Sequence, residues 1–191
     1  MADLLATPVD LAAALQRDVD TASATLALEV ATAVVQAAAG QRIVRATTTE
    51  TTYGDTDQVL RLKQRPVRSV TSVTYGGTLL SQGTASGTWR LTSGGLWRDA
   101  GWIDAVGEPY PTVVVYEAGY ETTEQEIQLG RGVCLSIARG LFTNPDGVTR
   151  EQIDDYSVAY AEAAAAMDAA SGMAARLRKF YGSKAGLVRI V

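Results

Sequence analysis

The feature that most limits the possible folds is a change of sequence pattern near residue 43. Before this point, and again after about residue 120, apolar residues recur every three or four positions, which predicts amphipathic helices. Between Ile43 and Ala118 the chain is rich in Thr, Val, Gly and aromatic residues, and no helical period survives. This composition is typical of β-strands. We therefore predict a β-rich section between two helical sections.

Two helices are expected before the β-rich section. Thr7 and Pro8 have the form of an N-cap and a first helical residue, and this short helix should run to about Leu15. A second helix of about 19 residues should begin near Thr21 and end at Gly40, which suits a left-handed C-terminal position. Its predicted buried stripe consists of Ala22, Leu26, Val30, Ala33 and Ala37.

Glycine pairs predict hairpins within the β-rich section. Gly76-Gly77 should join a strand at 67–75 to a second at 78–80. The valines of the first strand are spaced by three, which breaks strict alternation and predicts a bulge or burial on both faces. Two further short strands, 89–91 and 96–98, should be joined at Ser93-Gly94-Gly95.

Three tryptophans in this section have two possible roles. Trp89, Trp97 and Trp102 could form a platform on which a sugar or a base stacks. They could instead fill the interior of the sheets, and we favour this interpretation because small β-sheets need aromatic bulk in their core.

A third helix is predicted after residue 120. Thr123-Glu124-Gln125-Glu126 has the form of a capping box. Three helical glycines, Gly130, Gly132 and Gly140, predict the close approach of another backbone, since each costs about 1 kcal/mol relative to alanine. Cys134 should be a buried, inert thiol. The predicted packing stripe consists of Ile127, Gly130, Cys134, Ile137 and Leu141.

The segment 144–160 should connect the third helix to a last helix. It opens with a strong turn signal, Asn-Pro-Asp-Gly, and then alternates polar and apolar residues like a short strand. The last helix, 161–181, should bury Met167 and Leu177. The residues assigned to a structural connection are Asn144, Pro145, Gly147, Asp155, Tyr156 and Tyr160. The chain then ends in an apolar stretch formed by Leu187, Val188, Arg189, Ile190 and Val191.

These elements predict an α+β protein built on a helical bundle of about four helices, with the β-rich section inserted between the second and third helices. The expected parts are an N-terminal helical pair at 1–42, a β-rich insertion at 43–120, the helices that complete the bundle at 121–182, and an extended C-terminal tail at 183–191.

Composition excludes most catalytic chemistry. Histidine is absent and there is a single cysteine, which removes the commonest general base and metal ligand and any internal disulfide. No phosphate-binding loop or dinucleotide fingerprint is present. The close carboxylate pairs, Asp55 with Asp57 and Asp154 with Asp155, are interpreted as turn or cap residues. We predict that the protein is not an enzyme and holds no cofactor and no metal.

Charge and hydropathy limit the partners. The net charge is −4 and the isoelectric point is near 4.9, which argues against a protein that grips nucleic acid through its phosphates. The N-terminus lacks the form of a signal peptide, and we predict no membrane-spanning segment. Synthesis and assembly in a cytoplasm are therefore expected.

The order of several phrases resembles a phage family. The phrases are the helical pair beginning Thr7-Pro8-Val9-Asp10-Leu11, the stretch 62–73 before the Gly-Gly hairpin, the stretch 113–120 before the third helix, and the segment 144–160. Together they resemble the head-to-tail connectors of long-tailed phages, specifically the ring-forming head-tail adaptors. Relatives commonly have a glycine before the aspartate of the Asp-Tyr-Ser motif, where this chain has Asp154.

The resemblance implies a structural protein of the virion neck. Such an adaptor forms a ring, a dodecamer, that attaches to the portal and links it to the next neck protein, a stopper or a tail terminator. DNA passes through its channel without specific binding during genome ejection. The hypothesis includes insertion of residues 187–191 into the portal. Another neck, stopper or head-completion protein is the nearest alternative, and a ligand-binding module that uses the tryptophans is the more distant one.

Overall fold

The computed structural model describes residues 4–54, 57–93, 95–103, 110–143, 150–153, 156–159 and 173–182. The chain divides into two compact units. The first comprises residues 1–44 and 122–182, and the second comprises residues 45–121 and 183–191. The limits predicted for the β-rich section were 43–120.

The described helices and strands follow one another in a simple order. They are α1 (Pro8–Leu15), α2 (Thr21–Ala39), β1 (Ala46–Tyr53), β2 (Val59–Leu60), β3 (Val67–Tyr75), β4 (Thr78–Leu79), β5 (Trp89–Thr92), β6 (Gly95–Arg98), β7 (Pro111–Ala118), α3 (Gln128–Thr143), β8 (Arg150–Ile153) and β9 (Tyr156–Ala159). A 3₁₀ turn at Gln125–Ile127 precedes α3, and helical residues 173–177 lead into a π-helical turn at Arg178–Gly182.

The predicted N-cap residue Thr7 is confirmed, and it forms a capping box at the start of α1. The Thr7 side chain accepts a hydrogen bond from the Asp10 amide, and the Asp10 carboxylate accepts one from the Thr7 amide. The same carboxylate forms an ion pair with Arg131 of α3 at 2.6 Å. Burial alone would raise the pKa of Asp10, but the hydrogen bonds from Thr7 and Arg131 hold it below its ordinary value. The stability that these contacts contribute is therefore lost as the pH falls through that lowered pKa.

Helix α2 has the predicted length but buries a different face. Asp20 caps its N-terminus, and Gly40 ends it with a positive φ of 73°. The prediction of the buried stripe is wrong, because Leu26 is 63% exposed and Val30 is 45% exposed. Alanines on every side make the helix apolar all round, so periodicity cannot select one face. The residues that α2 buries are Ala24, Ala27, Leu28, Ala31, Thr32, Val35 and Ala39.

The predicted capping box before α3 is absent. Glu124 occupies the N-cap position of the 3₁₀ turn, and its side chain makes no capping hydrogen bond. The capping box predicted from the sequence had Thr123 as its N-cap residue, one position before the observed N-cap.

The second unit contains a four-stranded antiparallel sheet in the order β1-β7-β3-β4. The predicted Gly76-Gly77 hairpin is confirmed, since β3 and β4 pair across these two glycines, whose φ angles are 54° and 83°. The predicted irregularity is confirmed too: the register of β3 against β7 shifts between Val67 and Ser69 and again between Val70 and Ser72. These bulges explain the valine spacing of three.

A second antiparallel sheet, in the order β2-β6-β5, shares a core with the first. After its exposed first residue, strand β7 alternates buried and half-buried residues, and the two inner strands, β7 and β3, contribute three residues each to this core. The core residues are Leu60, Leu62, Val67, Val73, Tyr75, Trp89, Leu96, Trp102, Val114, Tyr116 and Ala118.

The predicted helical bundle with a β-rich insertion is wrong. The described chain is a mixed helix and sheet structure, in which two antiparallel sheets build a substantial unit around a core of their own. In the first unit, β8 and β9 form an antiparallel hairpin within the segment predicted as a connection. Periodicity located most of the elements, but it carries no information on which of them share a core.

Helix α2 is long and apolar enough to cross a membrane by these two criteria alone. No such segment was predicted from the sequence. The observation is weak evidence of a membrane span, because core helices meet the same criteria. Seven of its residues are buried within the protein, and Glu29 is exposed near its middle. We interpret α2 as a core helix with one exposed apolar face.

Candidate interaction surfaces

The predicted packing stripe of α3 is buried only in part. Ile127 and Cys134 are at most 1% exposed, and Gly130 is buried with them. Ile137 is half-buried and Leu141 is 39% exposed, while Val133 and Ala138 take their places in the interior. Leu177 of the last helical segment is 1% exposed. Met167 lies outside the described residues.

Tyr181, which helical spacing had placed on the packing side of the last helix, holds the last described turn to the start of α3. Its hydroxyl accepts a hydrogen bond from the Gly130 amide at 3.0 Å and donates one to the Glu126 carbonyl at 2.8 Å. The Gln41 side chain donates to the Tyr181 carbonyl at 2.9 Å. The hydroxyl thus satisfies one of the amides that the first turn of a helix leaves unpaired.

The three glycines of α3 differ in their surroundings. A Cβ at Gly130 would lie 3.1 Å from the Tyr181 hydroxyl and 3.3 Å from the Ile43 side chain. Side chains, and not the predicted backbone, therefore approach this glycine. At Gly132 and Gly140 no atom of the described part of the chain lies within 4 Å of such a Cβ, so the prediction is wrong there.

Replacing Gly132 with alanine should stabilise the first unit. Alanine loses less conformational entropy in a helix, and its methyl group meets no atom, so we expect a gain of about 0.5–1 kcal/mol in the free energy of unfolding. Urea unfolding followed by circular dichroism measures it. Gly130→Ala is the matched control, because its methyl group meets Tyr181 and Ile43. A larger gain for Gly130→Ala than for Gly132→Ala would contradict this explanation.

The predicted structural connection is described at few positions. Tyr156 begins β9 and pairs with Ile153 at the end of β8. Asn144, Pro145, Gly147, Asp155 and Tyr160 lie outside the described residues, as do residues 183–191 with the predicted portal-binding tail. Strand β9 falls where the alternating pattern was found, whereas β8 (Arg150–Ile153) has no alternation of its own that would reveal it.

Two of the three tryptophans belong to the core of the second unit. Trp89 is 3% exposed and Trp102 is fully buried, and their indole N–H groups donate to the Leu80 and Gln58 carbonyls. Trp97 is half-buried, and the Arg90 guanidinium lies 4.0 Å from its ring centroid. Because two of the three tryptophan rings are buried, the three rings do not form a shared surface on which a ligand could stack.

A buried carboxylate lies beside the central strand β7. Glu50 of β1 is 8% exposed, and its Oε2 accepts hydrogen bonds from the Tyr116 hydroxyl at 2.6 Å and the Lys63 amide at 3.1 Å. The Gln64 amide donates to the Tyr116 oxygen. Burial, together with the Glu50 hydrogen bond, raises the pKa of Tyr116 above its ordinary value. Tyr116 therefore stays protonated as the donor that Glu50 requires.

The described residues bring no catalytic set together. Among them, no group of three or more Cys, Asp or Glu side chains is placed to hold a metal ion. Cys134 is buried beside the Thr32 hydroxyl, and burial raises the pKa of its thiol, which disfavours the reactive thiolate.

Helix α2 exposes an apolar ridge. Leu26, Val30 and Val34 are 63%, 45% and 44% exposed and follow one another at intervals of four residues. We call these three side chains the α2 ridge. The exposed alanines Ala22, Ala33 and Ala37 extend the same face. Apolar side chains that recur on one exposed helix face commonly mark an interaction site.

Helix α3 exposes a line of small residues at the same interval. Gly132 and Ser136 are exposed and Gly140 is half-buried, and we call these three positions the α3 furrow.

Neither scanning against protein-family models nor searching curated proteins finds a match to this chain.

Proposed function

We propose that this protein is a structural component of a phage neck, a head-tail adaptor that assembles as a ring, which the family resemblance implies to be a dodecamer. The ring would attach to the portal and link it to the next neck protein. DNA would pass through its channel. The proposal rests on the order of the four sequence phrases, and the structural observation that supports it best is the exposed α2 ridge.

The α2 ridge supports a protein that works by assembly. Three large apolar side chains lie exposed on one face of a 19-residue helix, and burying them would be favourable by about 25 cal/mol per Å² of apolar area removed from water. Such a face is typical of a surface that is covered in the working state.

The acidic balance of the chain supports a channel through which DNA slides. A net charge of −4 provides no excess of cations to neutralise phosphates, and phosphate neutralisation supplies most non-specific affinity for DNA. A lumen without strong phosphate contacts would not retain the passing duplex.

Another neck or stopper protein is the nearest alternative. The two functions differ in the protein to which the chain binds, which is the portal for an adaptor. Native mass measurement of the chain, alone and with the portal protein encoded in the same genome, tests the proposal. We expect discrete ring masses on the portal. A chain that stays monomeric with portal at tens of micromolar, or that binds a different neck protein first, would contradict the adaptor function.

Deleting residues 183–191 should abolish attachment to the portal while leaving the first unit folded. The deleted segment contains the apolar residues assigned to portal insertion, and Tyr181, whose contacts hold the last described turn, is retained. Co-sedimentation with portal measures attachment, and circular dichroism of the truncated chain controls for folding. Normal attachment of a folded, truncated chain would remove the tail from the proposal.

A further inference from the structure

We infer that the α2 ridge of one copy packs into the α3 furrow of a neighbouring copy, and that this contact repeats around the ring. The inference rests on the proposed function for the ring itself, and it assigns the two surfaces that join successive copies. The occupant of the α2 ridge is therefore a second copy of this chain.

The two surfaces match in spacing and in shape. Leu26, Val30 and Val34 occupy positions i, i+4 and i+8 of one helix, and the α3 furrow occupies the same three positions of another. Each set spans about 12 Å along its helix axis. Rows of side chains spaced by four form the ridges that pack into equivalent grooves in the commonest class of helix packing. Large side chains on α2 thus face positions on α3 where side chains are small or absent.

The α3 furrow also explains glycines that the single chain does not. Gly132 lowers helix stability, and no atom of the described residues lies within 4 Å of a Cβ at this position. A neighbouring helix that packs over Gly132 would use the space that the missing side chain leaves.

Only a second copy can bring the two surfaces together. Within one chain, α2 and α3 already pack against each other, and they do so through other faces. The buried side of α2 includes Leu28 and Val35, and the buried side of α3 includes Cys134 and Ala138. A contact between two different surfaces of identical chains is heterologous, and it closes into a ring when the rotation between copies permits.

The charges on the two helices are complementary. Glu29 is the only charged residue within α2, and it is exposed beside the α2 ridge. The charged residues of α3 are Arg131 and Arg139, of which Arg139 is exposed beside the α3 furrow. Opposite signs at the margins of an interface favour one relative orientation of the partners and disfavour others.

The size of the surfaces favours a weak single contact. The α2 ridge and its flanking alanines offer a patch of roughly 300 Å², which is typical of functional patches on monomers. A stable pair of proteins buries about 800 Å² per partner. Each copy in a closed ring uses both its ridge and its furrow, so closure, or a portal that gathers the copies, supplies the additional contacts.

Cross-linking between two variants that each carry one introduced cysteine, in addition to the buried Cys134, tests the contact. Chains carrying Val30→Cys and chains carrying Ser136→Cys, distinguished by a mass tag, are mixed with portal and oxidised. We expect the mixed disulfide to exceed either symmetric product at least fivefold. The wild-type chain is the control, since its own Cys134 is buried. A predominance of Val30→Cys pairs would show a symmetric α2 contact and overturn the inference.

Surface variants provide a second, independent readout. Leu26→Glu on the ridge and Gly132→Leu in the furrow should each weaken ring formation at least tenfold by native mass measurement. Leu79→Glu is the matched control, because Leu79 is 69% exposed in the second unit, and it should have little effect. Equal effects of all three variants, or unchanged assembly with folded Leu26→Glu, would overturn the inference.

The outcomes separate this inference from the proposed function. Rings that form on portal without the mixed disulfide leave the adaptor function standing and overturn the assigned contact. The absence of any ring overturns both. Flotation with vesicles of phosphatidylcholine and phosphatidylglycerol tests a lipid as the occupant: wild-type chains that float, when Leu26→Glu chains do not, would assign the ridge to a membrane surface and overturn the inference.

Discussion

Trp102→Ala is expected to destabilise the second unit by about 3–5 kcal/mol, the cost typical of removing a large buried aromatic side chain. Trp102 is fully buried in the core shared by the two sheets. Its indole N–H donates to the Gln58 carbonyl at 3.1 Å, and its ring contacts Tyr75 edge-to-face with centroids 6.1 Å apart. Alanine would leave a cavity and remove one of the two hydrogen bonds to the Gln58 carbonyl, which would still accept from the Arg98 amide at 2.9 Å. Hydrogen exchange of the β3 and β7 amides measures the loss within this unit.

Trp97→Ala is the matched control. Trp97 is half-buried, and its main contacts are the Arg90 guanidinium and a hydrogen bond of 3.3 Å to the Gln58 side chain. We expect a loss of about 1–2 kcal/mol for this variant. If Trp102→Ala cost no more than Trp97→Ala, Trp102 would not have the core role that its burial indicates, and the ligand-binding alternative would regain support.

The sequence predicted local structure well wherever a single residue type determines the backbone. Thr7 with Pro8 marked the start of α1, and Gly40 marked the end of α2, because capping and positive φ restrict the residues that fit. Gly76-Gly77 located the hairpin for the same reason. Each of these signals acts within a few residues, so no knowledge of the rest of the fold is needed.

Predictions from the sequence were wrong where the result depends on which helices and strands pack against each other. An alanine-rich helix such as α2 has no preferred apolar side, and its buried face is chosen by α3 and by the Thr32 hydrogen bonds to Leu5 and Cys134. The predicted helical bundle and the observed separate sheet unit differ in which helices and strands pack together. The periodicity of apolar residues carries no information on this grouping.

The candidate surfaces were predicted least well, for the same physical reason. The α2 ridge was assigned to the interior because large apolar residues at helical spacing usually face a core. A surface that is covered only by a second copy has the sequence pattern of a core. The assignment of Leu26 and Val30 to the interior is wrong for the single chain, in which they are 63% and 45% exposed, and the inferred contact with a second copy would bury them.

Tyr116→Phe is expected to destabilise the second unit by about 2–4 kcal/mol, far more than the loss of one exposed hydroxyl. The hydroxyl donates to Glu50 Oε2 at 2.6 Å and accepts from the Gln64 amide at 3.2 Å. Glu50 is 8% exposed, and its Oε1 has no hydrogen-bond partner in the described part of the chain. Without the hydroxyl, the Lys63 amide would be the one remaining donor to a buried carboxylate, which is costly.

A double-mutant cycle with Glu50→Gln isolates this interaction. Glutamine keeps an acceptor for Tyr116 and removes the buried charge, so we expect Glu50→Gln alone to cost less than Tyr116→Phe, and Tyr116→Phe to cost less in the Glu50→Gln background.

The pH dependence gives a separate readout of the same pair. The pKa of Tyr116 is raised in the folded chain, so the stability it contributes is complete below the unfolded pKa of tyrosine, about 10, and is lost as the pH rises beyond it. Tyr116→Phe should therefore reduce the loss of stability between about pH 9 and pH 11, measured by urea unfolding at each pH. Additive effects in the cycle, together with an unchanged alkaline profile, would show that Tyr116 acts only through packing.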